Sequence, residues 1–363
     1  MISPKLRWNL GRILPFGIIW LFVNWVFILS DTMALGDNPS PDGTVGFTKE
    51  VLVFASVISF LIGLVVGFTE LIFVNRLFRR FSLWKTVIGK FLLYGFLFAA
   101  ILYLAYPVAA SLELGVPVTD AAVVEKASFF WGSYAFWSTV IQVSFSLLLC
   151  FVYAAISENL GLLVLVNLFT GKYHSPKQEE RIFLFLDMYD STSIAEALGH
   201  TRYFEFLQRY YDDMADAIIR TRGEVYQYIG DEIVITWPKH KGLPNMNCIR
   251  CFFEMKADLE QKHSKYQADF GAIPKFKGGM HMGTVTTGEV GALKKEIVYT
   301  GDVLNTSARI QGLCKELNQE FLISKELYER LAIAEVFKAT VLGTHNLRGK
   351  QKDIEIYTIS EKE

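Results

Sequence analysis

The chain has 363 residues, 52% of them hydrophobic, and its mean hydropathy of +0.28 is too high for an ordinary soluble protein. Its 36 Lys and Arg residues are balanced by 37 Asp and Glu residues, which gives no sign of a basic surface, so we expect no nucleic-acid partner. Four cysteines are too few and too unevenly spaced for a secreted disulfide scaffold. The hydrophobic excess lies almost entirely before residue 170, and the remainder reads as a globular domain.

Four apolar runs in the first half predict transmembrane helices at about 12–30, 50–75, 87–112 and 129–156. Each approaches the roughly 20 residues that cross a hydrocarbon core of about 30 Å. The first run is followed by Asp31 and a Gly/Pro/Asp loop rather than by a small-residue cleavage site, which indicates a helix and not a signal peptide. The lipid bilayer is therefore an expected partner of residues 1–156.

The basic residues predict the orientation of these helices. They precede the first run and fill the second connection, as Lys5, Arg7, Arg12, Arg76, Arg79, Arg80 and Lys85. The first and third connections carry mainly Asp31, Asp37, Asp42, Glu113, Asp120 and Glu125. The positive-inside rule then predicts a multi-pass protein of the inner (cytoplasmic) membrane with both termini in the cytoplasm.

Few ionisable residues fall near a membrane core, and they give no support to a transport path. We expect Glu70 and Lys90 to snorkel to a cytoplasmic interface as anchors. After the fourth run the apolar pattern continues to about residue 168, which predicts a helical connector over 157–180 together with a polar linker at 172–180. The connector is either the end of the helical bundle or a dimerising element that carries a signal, and both interpretations stay open.

Residues 181–363 alternate strand and helix patterns. Strands are predicted at Ile182–Leu186, Glu224–Ile229, Ile233–Trp237, Phe276–Met282 and Ile297–Thr300, and helices at Thr201–Arg222 and Asn247–His263. The first of these helices has a predicted apolar face of Phe204, Leu207, Tyr211, Met214, Ala215 and Ile218. The β-α-β-β-α-β order predicts an α+β, ferredoxin-like domain.

Two carboxylates mark strand ends in this order. Asp187 ends the first strand, and Asp231 lies at the tip of the hairpin after Gly230. If these elements are neighbours in the sheet, both side chains meet at one edge, where they would suit Mg²⁺. The alternative is that both are turn formers, and spacing alone slightly favours it.

Four sequence blocks change that balance. FLFLDMYDST at 183–192, YQYIGDEIVITW at 226–237, GGMHMGTVTTGEVG at 278–291 and YTGDVLNTSARIQ at 299–311 together resemble the class III adenylate/guanylate cyclase catalytic domain. The resemblance covers about residues 180–359. With four preceding spans, the chain is similar to bacterial membrane-bound cyclases that carry a short anchor. The resemblance implies conversion of ATP to 3′,5′-cyclic AMP and pyrophosphate by a homodimer with shared active sites.

The resemblance also implies roles for individual residues. Asp187 and Asp231 would bind two Mg²⁺ or Mn²⁺ ions. Asn305 would orient the ribose, and Arg309 would stabilise charge on the α-phosphate. These last two residues are four apart in the helical stretch 304–313, so they share one helix face. Basic residues near the triphosphate are expected to be Lys294 or Lys295, and Lys350.

The positions that read the purine depart from the family pattern. Adenylate cyclases usually carry Lys and Asp or Thr there, and guanylate cyclases Glu and Cys. This sequence has Gln227 and Val298. Glutamine can offer a donor or an acceptor to a purine edge, whereas valine offers neither. ATP is the expected substrate, with GTP or mixed use as the alternative.

Two other classes compete with this interpretation. A diguanylate cyclase has a related hairpin motif, but it would leave the NTSAR block unexplained. A non-catalytic nucleotide-binding membrane sensor would not need the intact Asp and Asn/Arg residues. Three further features favour plain structural roles: Cys248 and Cys251 in the core rather than on zinc, His281 packed in a strand, and Asp190 as an N-cap or turn residue.

Overall fold

The computed structural model describes residues 4–35, 45–46, 48–74, 77, 81–160, 164, 167, 170–293, 295–331, 333, 336–346 and 353–362. Several residues used above lie outside this set: Asp37, Asp42, Arg76, Arg79, Arg80, Lys294, Lys350 and most of 161–169. The described residues of Arg7–Val166 form one compact unit, and those of Asn167–Glu363 with Pro4–Leu6 form another.

The first unit is helical. Its helices are α1 (Pro4–Leu35), α2 (Lys49–Thr69), α3 (Leu83–Leu114), α4 (Ala121–Phe130) and α5 (Tyr134–Leu160). Four stretches are long and apolar enough to cross a membrane: Leu10–Met33, Lys49–Val74, Ile88–Leu114 and Tyr134–Glu158. The predicted four apolar helices are therefore confirmed. The fourth was predicted to start too early, because residues 129 and 130 end the short helix α4 before a turn at Gly132, whose φ of 90° suits glycine.

Close packing joins α1 and α2. A Cβ atom on Gly63 would lie 2.6 Å from the carbonyl oxygen of Phe16, so the two backbones are already in contact. Phe16 and Trp20 of α1 and Val66 of α2 are buried in the core of this unit. Large apolar side chains also cover its outside, with Phe22 and Phe96 65% and 79% exposed. This distribution suits a lipid surrounding, in which an apolar exterior is favourable.

The expectation that Glu70 snorkels to an interface is wrong. Glu70 is 1% exposed and begins a π-helical turn, Glu70–Val74, directly after α2. Its carboxylate forms an ion pair with Lys90 and accepts a hydrogen bond of 2.7 Å from the Tyr94 hydroxyl. A buried charge persists only when it is paired and hydrogen-bonded, and these two partners satisfy it within the helices.

The second unit combines a sheet with helices. The strands are β1 (Lys177–Met188), β2 (Glu224–Ile229), β3 (Glu232–Pro238), β4 (Phe276–Val290), β5 (Glu296–Thr300), β6 (Phe321–Ser324), β7 (Phe337–His345) and β8 (Ile354–Glu361). The helices are α6 (Ser191–Leu198), α7 (His200–Arg220), α8 (Lys239–Gly242), α9 (Asn247–Glu260), α10 (His263–Phe270), α11 (Asp302–Glu316) and α12 (Lys325–Tyr328).

The sheet places β1 at its centre. The strand order is β2-β3-β1-β4-β6-β8-β7, with β5 paired to β4, and the β4–β6 pair is parallel while the other pairs are antiparallel. Successive residues of β4 show how both faces are covered. A Cβ atom on Gly278 would meet Phe252 of α9, and one on Gly279 would meet Gln311 of α11. The predicted α+β class is confirmed, with helices packed on both faces of the sheet.

The start of the first strand differs from the prediction. The polar residues 177–180, expected to be linker, form the start of β1, and Lys177 pairs with Thr287 of β4. Three of the four are exposed, since this end of the strand extends beyond the core and needs no apolar residues.

Strands β6, β7 and β8 follow the last predicted strand, in a part of the chain for which the sequence predicted no element.

The predicted apolar face of α7 is confirmed at Met214 and Ile218, which are buried, and at Leu207 and Tyr211, which pack against the core, but it is wrong at Phe204. Phe204 is 63% exposed, whereas Phe206 and Tyr210 are fully buried. Phe206 packs edge-on against Tyr266 and Phe270, with ring centroids 5.5 and 5.3 Å apart. Aromatic residues occur on several sides of this helix, so the sequence pattern did not distinguish Phe204 from Phe206 and Tyr210.

A buried ionic cluster ties β1 to β2 and β3. Arg181 is 1% exposed and forms ion pairs with Glu179 at 3.0 Å and Glu224 at 2.5 Å. Its Nε donates a hydrogen bond of 3.1 Å to Thr236 Oγ1, and its guanidinium lies 4.6 Å from the centroid of the Tyr299 ring. Burial raises the pKa of Glu179, but the Arg181 charge and the Thr287 hydroxyl lower it more, so the net pKa is below the ordinary 4.5.

Truncating this cluster should destabilise the sheet. Arg181→Ala removes a buried guanidinium from two half-buried carboxylates, of which Glu224 keeps its ion pair with Lys241, and we expect a loss of about 3 kcal/mol. Because the folded-state pKa of Glu179 is lowered, its stabilising contribution is present above 4.5 and is lost as the pH falls. Hydrogen exchange of the β1 and β3 amides at pH 8 and pH 4 should show both effects. Lys239→Ala, which breaks an exposed ion pair with Glu180, is the matched control and should change exchange little.

Candidate active site

The structure brings Asp187 and Asp231 to the same end of two paired strands. Leu186 of β1 pairs with Ile233 of β3, so the antiparallel register leads Asp187 towards Glu232, beside Asp231 in the β2–β3 turn. Both aspartates are half-buried at this edge. The neighbouring strands on which the sequence argument depended are thus present.

Negative charge concentrates at this edge. Burial, followed by the charges of Asp187 and Asp231, raises the pKa of Glu232. The pKa of the Tyr210 hydroxyl is also raised, first by complete burial and then by Tyr211 and the two aspartates. That hydroxyl has no hydrogen-bond partner among the described residues. The edge therefore carries a surplus of negative potential, which favours a cation.

Two residues that the sequence analysis did not identify contact Asp187. The Lys277 ammonium lies 3.0 Å from Asp187 Oδ2, and the Gln311 amide donates a hydrogen bond of 3.2 Å to the same oxygen. Lys277 is the cross-strand partner of Asp187 in the β1–β4 register. Had the pairing of these strands been predicted, the lysine could have been found from its position in the register.

The donor set fits a divalent metal ion. Two partly exposed carboxylates at adjacent strand ends supply hard oxygen ligands of the kind Mg²⁺ prefers, and Mg²⁺ keeps water or phosphate oxygens in its other positions. The ammonium of Lys277, which pairs with Asp187, shows that this carboxylate attracts a positive charge. No group of three or more His, Cys, Asp or Glu side chains placed to hold a metal occurs among the described residues, so further ligands would have to come from elsewhere.

Asn305 and Arg309 face away from the sheet. Both lie on α11, where Asn305 is exposed and Arg309 is half-buried, whereas Val303, Ile310 and Gln311 are buried against the sheet. Gln311, which reaches Asp187, follows Arg309 by two residues and projects about 160° away around the helix axis. Arg309 forms no ion pair with any described carboxylate. A single chain therefore directs the Asn/Arg pair away from its own aspartates.

The two predicted purine-reading positions lie on separate strands that approach each other. Gln227 is exposed on β2, just after a bulge between Val225 and Gln227, and Val298 is half-buried on β5. Their sequence neighbours Tyr226 and Tyr299 are in edge-to-face contact, with ring centroids 5.0 Å apart. This contact brings β2 and β5 together beside the face where Phe183 packs.

Of the three lysines predicted to contact the triphosphate, the structure describes only Lys295. Lys295 is 70% exposed, and its ammonium lies 4.0 Å from Glu289 Oε2. Lys294 and Lys350 are outside the described residues. A cavity of about 1260 Å³ in this unit lies elsewhere, around Glu180, Lys239 and Arg250, away from the two aspartates.

Three plain structural roles are confirmed. Cys248 and Cys251 are fully buried in the core on α9, and burial raises the pKa of both thiols to about 12. His281 is 8% exposed within β4, with Nδ1 2.7 Å from Ser324 Oγ. Asp190 lies in the turn before α6, at the N-cap position, although its side chain makes no capping hydrogen bond.

Comparison with known proteins identifies the family. Residues 174–361, more than half of the chain, match the family described as the adenylate and guanylate cyclase catalytic domain. The chain belongs to this family, and the resemblance seen in the four sequence blocks is confirmed.

Several curated relatives are adenylate cyclases. The chain is 38% identical over 205 residues to adenylate cyclase 2 of Rhizobium meliloti (strain 1021), a match that covers 56% of this chain and 56% of that protein. It is 28% identical over 183 residues to an adenylate cyclase of Anabaena cylindrica, covering 48% of this chain and 36% of the relative. The chain thus spans little more than half the length of the first relative and less of the second.

A solved structure shares the fold. The structure of a bacterial light-regulated adenylyl cyclase aligns with a TM-score of 0.54 and 21% sequence identity, covering 61% of this chain and 64% of that one. At this identity the likeness supports the fold, and it leaves the assignment of chemistry to the residues of the site.

Proposed function

We propose that the chain is a membrane-anchored adenylate cyclase that converts ATP to 3′,5′-cyclic AMP and pyrophosphate. The observation that carries the proposal is the pair of carboxylates, Asp187 and Asp231, at one sheet edge of a domain of the cyclase family. The relatives named as adenylate cyclases support ATP as the substrate.

The reaction makes one bond and breaks one bond at the α-phosphorus. The ribose 3′-oxygen bonds to that phosphorus, the bond to the bridging oxygen of the β-phosphate breaks, and pyrophosphate leaves with the electron pair. The hydroxyl proton passes to solvent. Two Mg²⁺ or Mn²⁺ ions held by Asp187 and Asp231 would supply Lewis acidity that favours the ionised 3′-hydroxyl and neutralises the triphosphate.

Asn305 and Arg309 supply hydrogen-bond donors for the ribose and the phosphate, which the two carboxylates cannot provide. The Asn305 amide holds the ribose, so that the 3′-oxygen stays close to the α-phosphorus. The guanidinium of Arg309 donates two parallel hydrogen bonds to phosphate oxygens whose negative charge grows during the reaction. Lys295, Lys294 and Lys350 are candidates for binding the triphosphate.

Each site is composed of two subunits of a homodimer. The support for this lies on α11, where Gln311 reaches Asp187 while Asn305 and Arg309 project to the other side of the helix. A second copy related by a two-fold axis would present its Asn/Arg pair to the aspartates of the first. One dimer then has two equivalent sites, and a monomer has none.

The four apolar helices anchor the enzyme in the inner membrane. The basic residues before α1 and in the α2–α3 connection support an orientation in which both termini and the cyclase domain are cytoplasmic. ATP is available on that side. Residues 1–156 form the proposed membrane domain, 157–180 the connector and 181–363 the catalytic domain, with the first strand already starting at Lys177.

The purine-reading positions give a prediction about substrate choice. Gln227→Lys combined with Val298→Asp should move the ratio of kcat/KM for ATP over GTP towards ATP by about tenfold, because the pair adds a donor and an acceptor for the adenine edge. Steady-state kinetics with both nucleotides measures the ratio. Gln178→Lys, at an exposed position of β1, is a control for the lysine alone, because it makes the same Gln→Lys change elsewhere. An unchanged ratio in the double variant would mean that the base is read by other residues.

The proposed activity is tested by product analysis. The purified full chain in detergent is incubated with Mn²⁺ and either ATP or GTP, and the products are separated by chromatography. We expect cyclic AMP and pyrophosphate in equal amounts, with less cyclic GMP. Predominant cyclic GMP would assign a guanylate cyclase, a linear or cyclic dinucleotide would assign a diguanylate cyclase, and nucleotide binding without product would assign a non-catalytic sensor.

A further inference from the structure

A cavity of about 450 Å³ lies within the helical unit, near the ends of the helices closest to the α1–α2 connection. Side chains of α1, α2, α3 and α5 line it, with Phe130 of α4 at one side. Most of the lining is aliphatic or aromatic, as with Ile28, Phe54, Ile58, Phe98 and Tyr106. Its size falls in the range of about 300 to 1,000 Å³ that is typical of sites for small organic molecules.

Two buried donors on side chains of the wall, Asn24 Nδ2 and Trp20 Nε1, have no hydrogen-bond partner among the described residues. Asn24 of α1 is 7% exposed, and its Oδ1 accepts a hydrogen bond of 3.2 Å from the Gln142 amide of α5. The Asn24 Nδ2 has no partner among the described residues. Asn24 lies inside the apolar stretch Leu10–Met33, where neither lipid nor bulk water can accept its hydrogen bond. Buried polar groups inside membrane segments are therefore functional candidates.

Helices α1 and α2 cannot move closer together to close the cavity. The backbones of α1 and α2 already touch at Gly63, where a Cβ atom would lie 2.6 Å from the Phe16 carbonyl oxygen. Ordered water can bind at the polar part of the wall, which includes Asn24, Asp31, Ser59, Ser138, Thr139 and Gln142, but the larger aliphatic and aromatic part offers water no hydrogen-bond partner. An occupant with a largely apolar body matches the lining better.

The charge of the lining selects among such occupants. Asp31 is the one charged side chain among the described residues around the cavity, and no basic residue lies there. A carboxylate or phosphate would meet this negative charge without a counterion. The free amide of Asn24 instead calls for a neutral hydrogen-bond acceptor.

We propose that this cavity binds a neutral small molecule with an aliphatic or aromatic body and one carbonyl group, which accepts a hydrogen bond from Asn24 Nδ2. The Gln142 amide fixes the Asn24 side chain so that its free hydrogen is available to the ligand. The membrane domain is then a ligand-binding domain as well as an anchor.

Benzophenone is a suitable probe, because it is neutral, aromatic and carbonyl-bearing and forms covalent bonds to nearby C–H groups under ultraviolet light. The full chain in phosphatidylcholine vesicles is labelled over a range of benzophenone-to-lipid ratios, and the labelled peptides are mapped by mass spectrometry. We expect saturable labelling of cavity-lining segments of α1, α2, α3 and α5. Labelling that rises linearly and spreads over outward-facing residues would overturn the proposal.

Variants separate the cavity from the lipid surface. Ala105→Phe fills the cavity and should abolish saturable labelling, whereas Ala100→Phe, exposed on the same helix, should leave it unchanged. Asn24→Leu removes the donor at similar size and should raise the half-saturating ratio about five- to tenfold. Equal labelling in all three variants and the unaltered chain would contradict the cavity as the binding site.

A pair of competitors tests the hydrogen bond in the unaltered chain, so a folding defect in a variant cannot obscure it. Cyclododecanone and cyclododecane differ in one carbonyl group, and their amounts are expressed per lipid. We expect cyclododecanone to compete with benzophenone about five- to tenfold better than cyclododecane. Equal competition by the two would refute the role of Asn24, and no competition by either would refute the site.

Discussion

Replacing Asp187 or Asp231 with asparagine should reduce cyclic nucleotide formation on the order of a thousandfold. Each substitution keeps the size of the side chain and removes one proposed anionic metal ligand. The two aspartates are half-buried at a sheet edge, so the core beneath them is not disturbed. Initial rates with Mn²⁺ and ATP measure the loss, and circular dichroism establishes that the fold is retained.

Asp190→Asn is the matched control for this experiment. Asp190 is also an aspartate, three residues after Asp187, but it is exposed and occupies the N-cap position of α6. Asparagine tolerates its positive φ of 53°, so the backbone should not change. We expect Asp190→Asn to retain most of the activity. Substantial activity in a folded Asp187→Asn or Asp231→Asn chain would mean that these carboxylates do not hold the metal.

Arg309→Ala should lower kcat about a hundredfold to a thousandfold with a smaller change in KM. The reason is that, in the proposed mechanism, the guanidinium binds phosphate oxygens more strongly as their charge grows in the transition state. Arg309→Lys should restore little of the loss, since an ammonium lacks the planar fork that holds two oxygens at once.

Lys315→Ala provides the comparison for Arg309. Lys315 is an exposed basic residue in the last turn of the same helix, α11, so its removal changes the net charge by the same amount. Its kinetics should stay close to those of the unaltered chain. If Lys315→Ala and Arg309→Ala lowered kcat equally, the effect of Arg309 would be one of overall charge or helix stability.

Sequence patterns predicted the elements with a clear physical signature. The four apolar helices follow from length and hydropathy, and the hairpin from Gly230-Asp231 between two apolar runs, which the structure places in β2 and β3. Strand β6 was missed because it has only four residues, all buried, with no alternation to distinguish it. Its neighbours β7 and β8 lie in the same C-terminal stretch, where no strand was predicted.

Side-chain partners were harder to predict than elements. The pairing of Glu70 with Lys90 and Tyr94 depends on how two apolar helices are rotated, and uniformly apolar helices carry little information about rotation. In α7, which is amphipathic, the ambiguity was confined to its first turns, where both Phe204 and Phe206 could have faced the core. In each case packing against other elements decided the outcome.

The residues of the candidate site that lie within a recognisable sequence block could be predicted, and those that depend on how strands and helices pack could not. Asp187, Asp231, Asn305 and Arg309 came from three such blocks, whereas Lys277 and Gln311 required the register of β1 with β4 and the packing of α11. The purine-reading residues Gln227 and Val298 stay a prediction, because neither side chain has the charge or hydrogen-bonding pattern usual at its position.

The central claim is that two subunits build each active site, and mixing two inactive variants tests it most directly. Asp187→Asn and Arg309→Ala subunits with different tags are co-expressed, and the doubly tagged dimers are detected by sequential affinity purification. A mixed dimer places both lesions in one site and leaves the other intact. Asp187→Asn mixed with Asp231→Asn is the matched control, because every site in that dimer keeps a damaged carboxylate pair.

We expect cyclic AMP formation by the Asp187→Asn and Arg309→Ala mixture to recover to about a quarter of the unaltered activity, since random pairing makes half of the dimers mixed and each mixed dimer has one intact site of two. The control mixture should stay inactive. An Asp187→Asn and Arg309→Ala mixture that contains mixed dimers and yet forms no cyclic AMP would contradict the account, because each chain would then have to build its site alone.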